Sequence, residues 1–560
     1  MARNLTVMAA QITGSLPSWA QLPQLKKVIA MPFTNMTTLW GIPVPWVVTG
    51  LIAFICILAL VQEEDFPHTD YPLQNPRKFW DVTAWKSKWD FIFGVRKILE
   101  KRIAEAPDQP YRILTDFGDM TILPPDYANE IRNSDDLSFD RVVEKNFQAH
   151  LPGLDVFKEE NLHKTVLRHV IRTRLTQFLS KVTAPLSNET ALTLQDVFTD
   201  QKEWHTIILK DEIVKIVSRI SARVFTGEIL CRNPEWQKIT ADYAMTCFLA
   251  ADMVRMFPKP IRPLVHRILP LSIKVRSDVK KARAIVEPVL AERKKIKEEA
   301  RRRGEPIPKF DDAIEWCEEI EQDVGFDMAT FQLAMAVAAI HTTSDFLTQI
   351  LLDLAQHPEY IEPLRAEIAA VLKEDGWDKL SLYKMRLLDS VCKETQRLRP
   401  IGLVAMHREA LKDIDLAGGV HLPKGTRIAI SSHRMRDPAY YPSPNEYDGY
   451  RFLRMRDELG AGKDGDAHFV TTSPQHLGFG HGKHACPGRF FASNEVKVAL
   501  CHILLKYNWR LAPGVEPKIF QFGLTIGCDP VAKVEIRRRD YHLEALAGKE
   551  EIDVRDLPVK

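Results

Sequence analysis

One run dominates the hydropathy pattern. From Val28 to Gln62 no position carries a charge, and the densest part, Ile42 to Val61 (IPVPWVVTGLIAFICILALV), is 20 residues long. That is the length that crosses a hydrocarbon core of ~30 Å. Trp46 lies near one end, where an interfacial aromatic belongs. A cleaved signal peptide would start nearer the terminus and be followed by a small-residue cleavage pattern. The pattern therefore predicts a membrane helix over 42–62. The next most apolar stretch, Met328 to Leu352, carries Gln332, His341, Asp345 and Gln349 and reads as a long helix buried inside a soluble domain. Helical periodicity appears at 159–180, 205–226, 275–303, 327–357, 358–373, 383–399 and 488–506. The helix at 383–399 stops at Pro400, because the residue before a proline is pushed out of the α region. Strand signals cluster at 401–432, where GGVHLPKGTRIAI sets two β-rich runs around a Pro-Lys-Gly turn, as in a hairpin. No repeat or Gly/Ser linker divides the chain beyond residue 62. The expected organisation is an N-terminal segment (1–41), one membrane helix (42–62) and a single large domain (63–560), mainly α with smaller β-sheets.

Composition narrows the function classes. With 45% hydrophobic, 27% charged and 9% aromatic residues, the chain is too apolar to be disordered. Lys+Arg 76 against Asp+Glu 74 leaves no global basic excess, so no nucleic-acid partner is expected. The basic run at 291–303 reads as a solvated helix face. Eight cysteines without a CxxC pair exclude a disulfide framework, a clustered zinc site and a thioredoxin-like pair.

One cysteine stands in a distinctive setting, the stretch Leu477 to Ala492, LGFGHGKHACPGRFFA. Cys486 precedes an amphipathic helix, where unpaired amides and the positive dipole end favour a thiolate able to bind metal. Pro487 suits a first helical position. Gly480 and Gly482 permit a tight loop with close backbone approach to a flat ligand. Phe479 shields the sulfur, and His484 places an ionisable group two residues before it. A buried structural cysteine in a glycine-rich turn is the alternative for any lone thiol. The full spacing Phe479-x-x-Gly482-x-His484-x-Cys486-x-Gly488 resembles the haem-binding loop of the cytochrome P450 superfamily, with His484 where most members have arginine. Three more segments occur in that family's order. They are Glu394 and Arg397 in CKETQRLRP, Asp437 to Phe452 with Arg451, and Ala338 to Ser344 (AAIHTTS) in the long central helix.

The resemblance implies a cytochrome P450 fold and haem b, with Cys486 as the thiolate ligand of the iron and Phe479, Gly480, His484 and Gly488 around it. Arg408 matches a propionate-binding arginine, His484 would be its partner, and His163 or Arg168 a third. Glu394, Arg397 and Arg451 would form the family's structural triad. Thr342 matches the alcohol that helps deliver protons during oxygen activation. The acid usual before it is His341 here, which either relays protons or lines a pocket. The implied reaction is insertion of one oxygen atom into a C–H bond, with NADPH electrons from a separate NADPH-cytochrome P450 reductase and cytochrome b5 as a further donor, since no flavin or nicotinamide domain is recognised. Arg3, Lys26 and Lys27 before the apolar run, and Glu63, Glu64, Asp65 and Asp70 after it, would by the positive-inside rule leave the N-terminus cytoplasmic. The family topology implies the reverse: a single-pass endoplasmic reticulum protein with a cytoplasmic catalytic domain and a luminal segment 1–41, making Asn4 and Asn35 glycan acceptors. The motif style resembles fungal secondary-metabolism members, which implies a lipophilic terpenoid, meroterpenoid or indole diterpene substrate. A reduced polyketide is the alternative substrate. A haem-thiolate isomerase or dehydratase that needs no reductase is the alternative chemistry, and a non-enzymatic haem carrier is the remaining one.

Overall fold

The computed structural model describes residues 69–78, 81, 85–158, 166–320, 327–460 and 464–539, with scattered positions between 38 and 54. His163, Asn4 and Asn35 lie outside the described residues. So does most of the expected membrane helix. Within it, Ile42–Pro43 is extended and pairs with Thr38–Leu39, and helical positions begin at Trp46. Pro43 disfavours α geometry at Ile42, the residue before it, in keeping with the extended pair. The chain divides into two units, and the one comprising Glu64–Lys78 and Trp85–Lys560 holds every element described below.

Its first half contains α1 (Trp85–Glu105), β1 (Tyr111–Thr115), β2 (Gly118–Leu123), β3 (Leu137–Ser138), α2 (Leu179–Phe198), β4 (His205–Ile208), α3 (Leu209–Phe225), α4 (Pro234–Arg255) and α5 (Pro270–Arg303). Next come α6 (Met328–Gln356), α7 (Ile361–Asp375), α8 (Arg386–Leu398), β5 (Val404–Ala410), β6 (Ile414–Leu416), β7 (Val420–Leu422) and β8 (Arg427–Ser431). The last are α9 (Arg489–Lys506), β9 (Tyr507–Leu511), β10 (Phe520–Phe522), β11 (Thr525–Gly527) and β12 (Lys533–Arg538).

Side-chain caps open α4 and α6. Asn233 accepts from the amides of Glu235 and Trp236 at 2.9 and 3.0 Å, with Pro234 in the first turn of α4. Asp327 accepts from Thr330 N at 3.2 Å and opens α6. The basic run at 291–303 ends α5, stopped by Gly304 in the left-handed region (φ 70°). Most of its charges are solvated, but Arg293 is buried against Asp312. α6 is the central element. It packs against α3, α4 and α5, and its apolar side joins one core with residues of α2, α4 and α9.

Three expectations are corrected. The helix expected over 205–226 begins with β4, which pairs with β12. In the described part of 159–180, Val170–Leu175 is π-helical. The two runs flanking Pro-Lys-Gly are not a hairpin. β7 pairs back with β6 (Leu416↔Val420), whereas β8 lies between β5 and β2 in the five-stranded sheet of order β1-β2-β8-β5-β3. The turn itself forms, with Thr426 N donating to Pro423 O at 3.0 Å, but Gly425 N then donates to Ala410 O at 2.7 Å and hands the chain to β5. Every residue of β8 is buried, so both its edges need partners, which the short β7 could not supply.

Candidate functional site

α6 is buried along most of its length, yet Ala338 and Thr342 in its middle are exposed, and Ala339 and His341 are half-buried. Ala338 and Thr342 are four apart and share a helix face. Thr342 lines a cavity that is also lined by Phe346, Phe469, Phe479, Ala492 and Cys528. The Thr342 hydroxyl donates to Ala338 O at 2.8 Å. His341 Nε2 lies 3.2 Å from the carbonyl oxygen of Ala241 on α4, an acceptor that fixes the proton on Nε2. Burial, and after it the Lys210 cation, push the imidazole down to about 4.

The cysteine loop supplies a second wall of the cavity through Phe479 and Ala492. Cys486 N donates to Phe479 O at 2.8 Å and Gly480 N to Leu477 O at 2.8 Å. Gly480 and Gly482 take φ of 69° and 77°, and a Cβ on Gly482 would sit 2.7 Å from Arg132 O. Burial pushes the Cys486 thiol up, while the Gly488 amide, the Arg489 cation and the Arg489 amide oppose it. Burial outweighs them here, so the thiol is the favoured form until a metal ion draws the proton away. A Cβ on Gly488 would meet only Ile171 Cγ2, at 3.9 Å. Gln396 of α8 reaches this loop. Its Oε1 lies 3.0 Å from His476 Nε2, and it lies where a Cβ on Gly478 would come within 2.3 Å of it.

A cation stands nearby without a counter-ion. Arg408 on β5 is buried. It donates from Nη1 to His407 O at 2.6 Å, while its Nε has no partner. It makes no ion pair among the described residues, and burial pulls the guanidinium down to about 10. Its guanidinium carbon lies 5.6 Å from the centre of the Phe139 ring, which in turn lies 6.0 Å from His484. Burial and the Arg408 and Arg168 cations push His484 down to about 4. Arg168 is already paired with Asp140 at 3.2 Å. A buried, uncompensated charge is costly, so Arg408 suits the carboxylate of a bound cofactor. The donor set, one thiol in a glycine-rich loop whose Phe479 lines a partly apolar cavity, with a buried cation nearby, fits haem.

Away from the cavity, Arg397 donates from Nε and Nη2 to Glu394 at 2.8 Å each, and Arg451 Nε lies 3.1 Å from Glu394 Oε2. Glu394 and Arg397 are fully buried. Arg397 also donates to Met435 O and Pro444 O at 2.7 Å each, which ties α8 to the segment carrying Arg451. Sequence reasoning missed the cavity's polar groups Asp345, Gln349, Gln396 and Arg399, of which Asp345 is the carboxylate. Asp345, three residues after Thr342, reads in the sequence only as an interruption of an apolar run, yet it lines the same cavity.

Comparisons with known proteins agree with this geometry. The cytochrome P450 family model matches residues 117–531. The chain is 43% identical to cytochrome P450 monooxygenase hepE of Aspergillus oryzae, over 88% of this chain and 91% of that protein. It is 46% identical to cytochrome P450 monooxygenase 1 of Gibberella fujikuroi, over 78% and 98%, and 40% identical to cytochrome P450 monooxygenase TRI1 of Fusarium sporotrichioides, over 87% and 90%. The solved structure of retinoic acid-bound cyanobacterial CYP120A1 superposes with a TM-score of 0.59 at 17% identity, over 85% of this chain and all of that one, a likeness of fold. With its thiol at the head of α9, its buried unpaired arginine and this sequence match over most of its length, the chain belongs to the cytochrome P450 family.

Proposed function

We propose that this cytochrome P450 monooxygenase inserts one oxygen atom from O2 into a lipophilic secondary-metabolite intermediate, a terpenoid, meroterpenoid or indole diterpene. The observation that carries the reading is Cys486 in the glycine-rich loop that leads into α9, a loop whose Phe479 lines the same cavity as Thr342. Fungal monooxygenases among the relatives support the reaction class, and the phenylalanines of the cavity wall suit an apolar substrate.

Haem, when bound, supplies the oxygen activation, and a thiolate ligand favours O–O cleavage over reversible binding. The protein's own tasks are holding and proton handling. Cys486 would ligate the iron, Phe479 would keep water from the sulfur, Gly480 and Gly488 would leave room for the ring, and Arg408 and His484 would receive the propionates. His163 remains the third candidate there, since Arg168 is spent on Asp140. Thr342 would position a proton donor in the cavity that it lines. Glu394, Arg397 and Arg451 hold the segment between α8 and the cysteine loop. Electrons come from NADPH through a membrane-bound cytochrome P450 reductase, with cytochrome b5 as a second donor. The apolar run at 42–62 anchors the protein in the endoplasmic reticulum with its catalytic domain cytoplasmic.

The test is a reduced carbon-monoxide difference spectrum followed by expression in a reductase-containing host fed terpenoid precursors. The wild type should give the thiolate-type band and NADPH-dependent oxygenated products, and Cys486→Ala should give neither. A thiolate-type band in Cys486→Ala sinks the ligand assignment. Product formed without NADPH would instead favour the isomerase or dehydratase reading.

A further inference from the structure

We propose that Asp345, held by Lys210, carries protons from solvent into the cavity beside Thr342, the task that the acid before this threonine performs elsewhere in the family. The proposal rests on the monooxygenase reading above. Monooxygenation reduces one oxygen atom to water and draws protons from solvent each turnover. The wall formed by Phe346, Phe469 and Phe479 offers none, and the other polar lining residues, Thr343, Gln349, Gln396 and Arg399, carry neither a carboxylate nor an imidazole. His341 fills the expected position in the sequence but is turned to other use. Its Nε2 proton is given to Ala241 O, and its Nδ1 is buried without a partner.

Asp345 has the placement that His341 lacks. It lies one helical turn beyond Thr342 on the same face, lines the same cavity and keeps its side chain 27% exposed. Donors from two other elements fix the carboxylate. Lys210 Nζ, at the start of α3, lies 3.2 Å from Oδ1 and 3.4 Å from Ser344 Oγ. Cys528 N, just beyond β11, lies 3.2 and 3.1 Å from the two oxygens, and Cys528 Sγ lies 3.1 Å from Oδ1. The groups facing this carboxylate are therefore one ammonium, one thiol, one amide and, through Lys210, the His341 ring. Gly527 matters sterically. A Cβ there would stand 3.3 Å from Oδ1, crowding the approach that glycine leaves open.

In each transfer the carboxylate takes a proton from solvent at the part of its side chain that stays exposed, forming an O–H bond. It then releases that proton to water beside Thr342, and the O–H bond breaks. Asp345 returns to the carboxylate, so no proton is gained or lost by the protein over a cycle. Lys210 is a positioning residue that holds the carboxylate between transfers.

The test compares two routes to the same product in the haem-loaded enzyme, with thioanisole as the probe. With NADPH, reductase and O2, sulfoxide formation consumes protons. With cumene hydroperoxide, the peroxide oxygen passes to sulfur, the alcohol leaves, and no external proton is needed. Asp345→Asn keeps the shape and an acceptor for Cys528 N but cannot carry a proton. It should lower the NADPH-driven rate by roughly tenfold, less than the roughly hundredfold low end for a positioned proton donor because water can substitute in part. It should also raise the solvent deuterium isotope effect and leave the peroxide-driven rate unchanged. Asp345→Glu should recover most of the NADPH-driven rate. If Asp345→Asn matches the wild type on both routes, or slows both together as a mere anchor of the β11 turn would, the proposal is overturned. The carbon-monoxide spectrum separates the two levels. A wild type lacking the thiolate-type band defeats the monooxygenase reading, whereas a normal band with an unaffected variant defeats only the role of Asp345.

Discussion

Removing the Glu394 carboxylate is the sharpest test of how this domain is held together. Glu394 accepts from Arg397 Nε and Nη2 at 2.8 Å each, from Arg451 Nε at 3.1 and 3.2 Å, and from Asp448 N at 3.1 Å. The Arg397 side chain is 0% exposed and that of Arg451 is 9% exposed. Glu394→Ala leaves both guanidinium groups in place with no carboxylate between them. Taking one partner from a buried pair costs about 3–5 kcal/mol. Carbonyl acceptors at Met435, Pro444 and Pro442 retain part of the hydrogen bonding, which argues for the lower half of that range. Unfolding entropy of about 2 cal/mol/K per residue gives a domain of several hundred residues about 1 kcal/mol/K, so the melting temperature should fall by only about 3–4 °C. Urea unfolding followed by near-UV circular dichroism is therefore the better assay. The comparison is Asp457→Ala, which removes a solvent-exposed pair with Arg386 (side chains 60% and 43% exposed) and should cost below about 1 kcal/mol. A Glu394→Ala variant no less stable than Asp457→Ala would show that the buried network is dispensable and refute the reasoning.

Two further perturbations address the cavity and the core. Thr342→Ala should keep the thiolate-type spectrum while NADPH consumption separates from product and appears as peroxide, and coupling equal to the wild type would remove Thr342 from proton delivery. Glu495 of α9 is buried, bonds Ser221 Oγ at 2.5 Å and is raised to about 8 by burial. Between its unfolded value near 4.5 and about 8 the folded state binds the extra proton, so this group makes stability fall as pH rises through that window. Glu495→Gln should therefore match the wild type near pH 5 and become progressively more stable than it toward pH 8 in urea titrations. A constant difference across that range would contradict the assignment.

How much was legible in the sequence depends on how far apart the interacting groups lie. The cysteine loop was readable because its sulfur, glycines and helix start fall within a dozen residues. α6 was readable because Asp327 caps a long apolar run. The sheet was not. β8 finds its parallel partner in Gly118–Leu123, far upstream, while the local sequence suggested the nearer β7. α2 was missed because Pro185 and several threonines blur its period. Thr183, Thr190 and Thr193 offset this by donating to carbonyls four residues back at 2.6, 2.7 and 2.6 Å, an arrangement invisible in a propensity count. The charge around Asp345 was hidden for the same reason, since Lys210 and Cys528 lie 135 and 183 residues away in sequence. Arg408 was recognisable only by resemblance. That it makes no ion pair among the described residues is a fact of three dimensions.

The meeting of Gln396 with Gly478 carries a consequence for how this loop can change over generations. Since any side chain at 478 would overlap the amide of Gln396, neither position is free to drift alone. A larger residue at 478 displaces Gln396 from His476, and a shorter residue at 396 leaves a buried imidazole without its acceptor. Lineages should therefore exchange these two positions in pairs, or pass through a weakened ancestor when they exchange them one at a time.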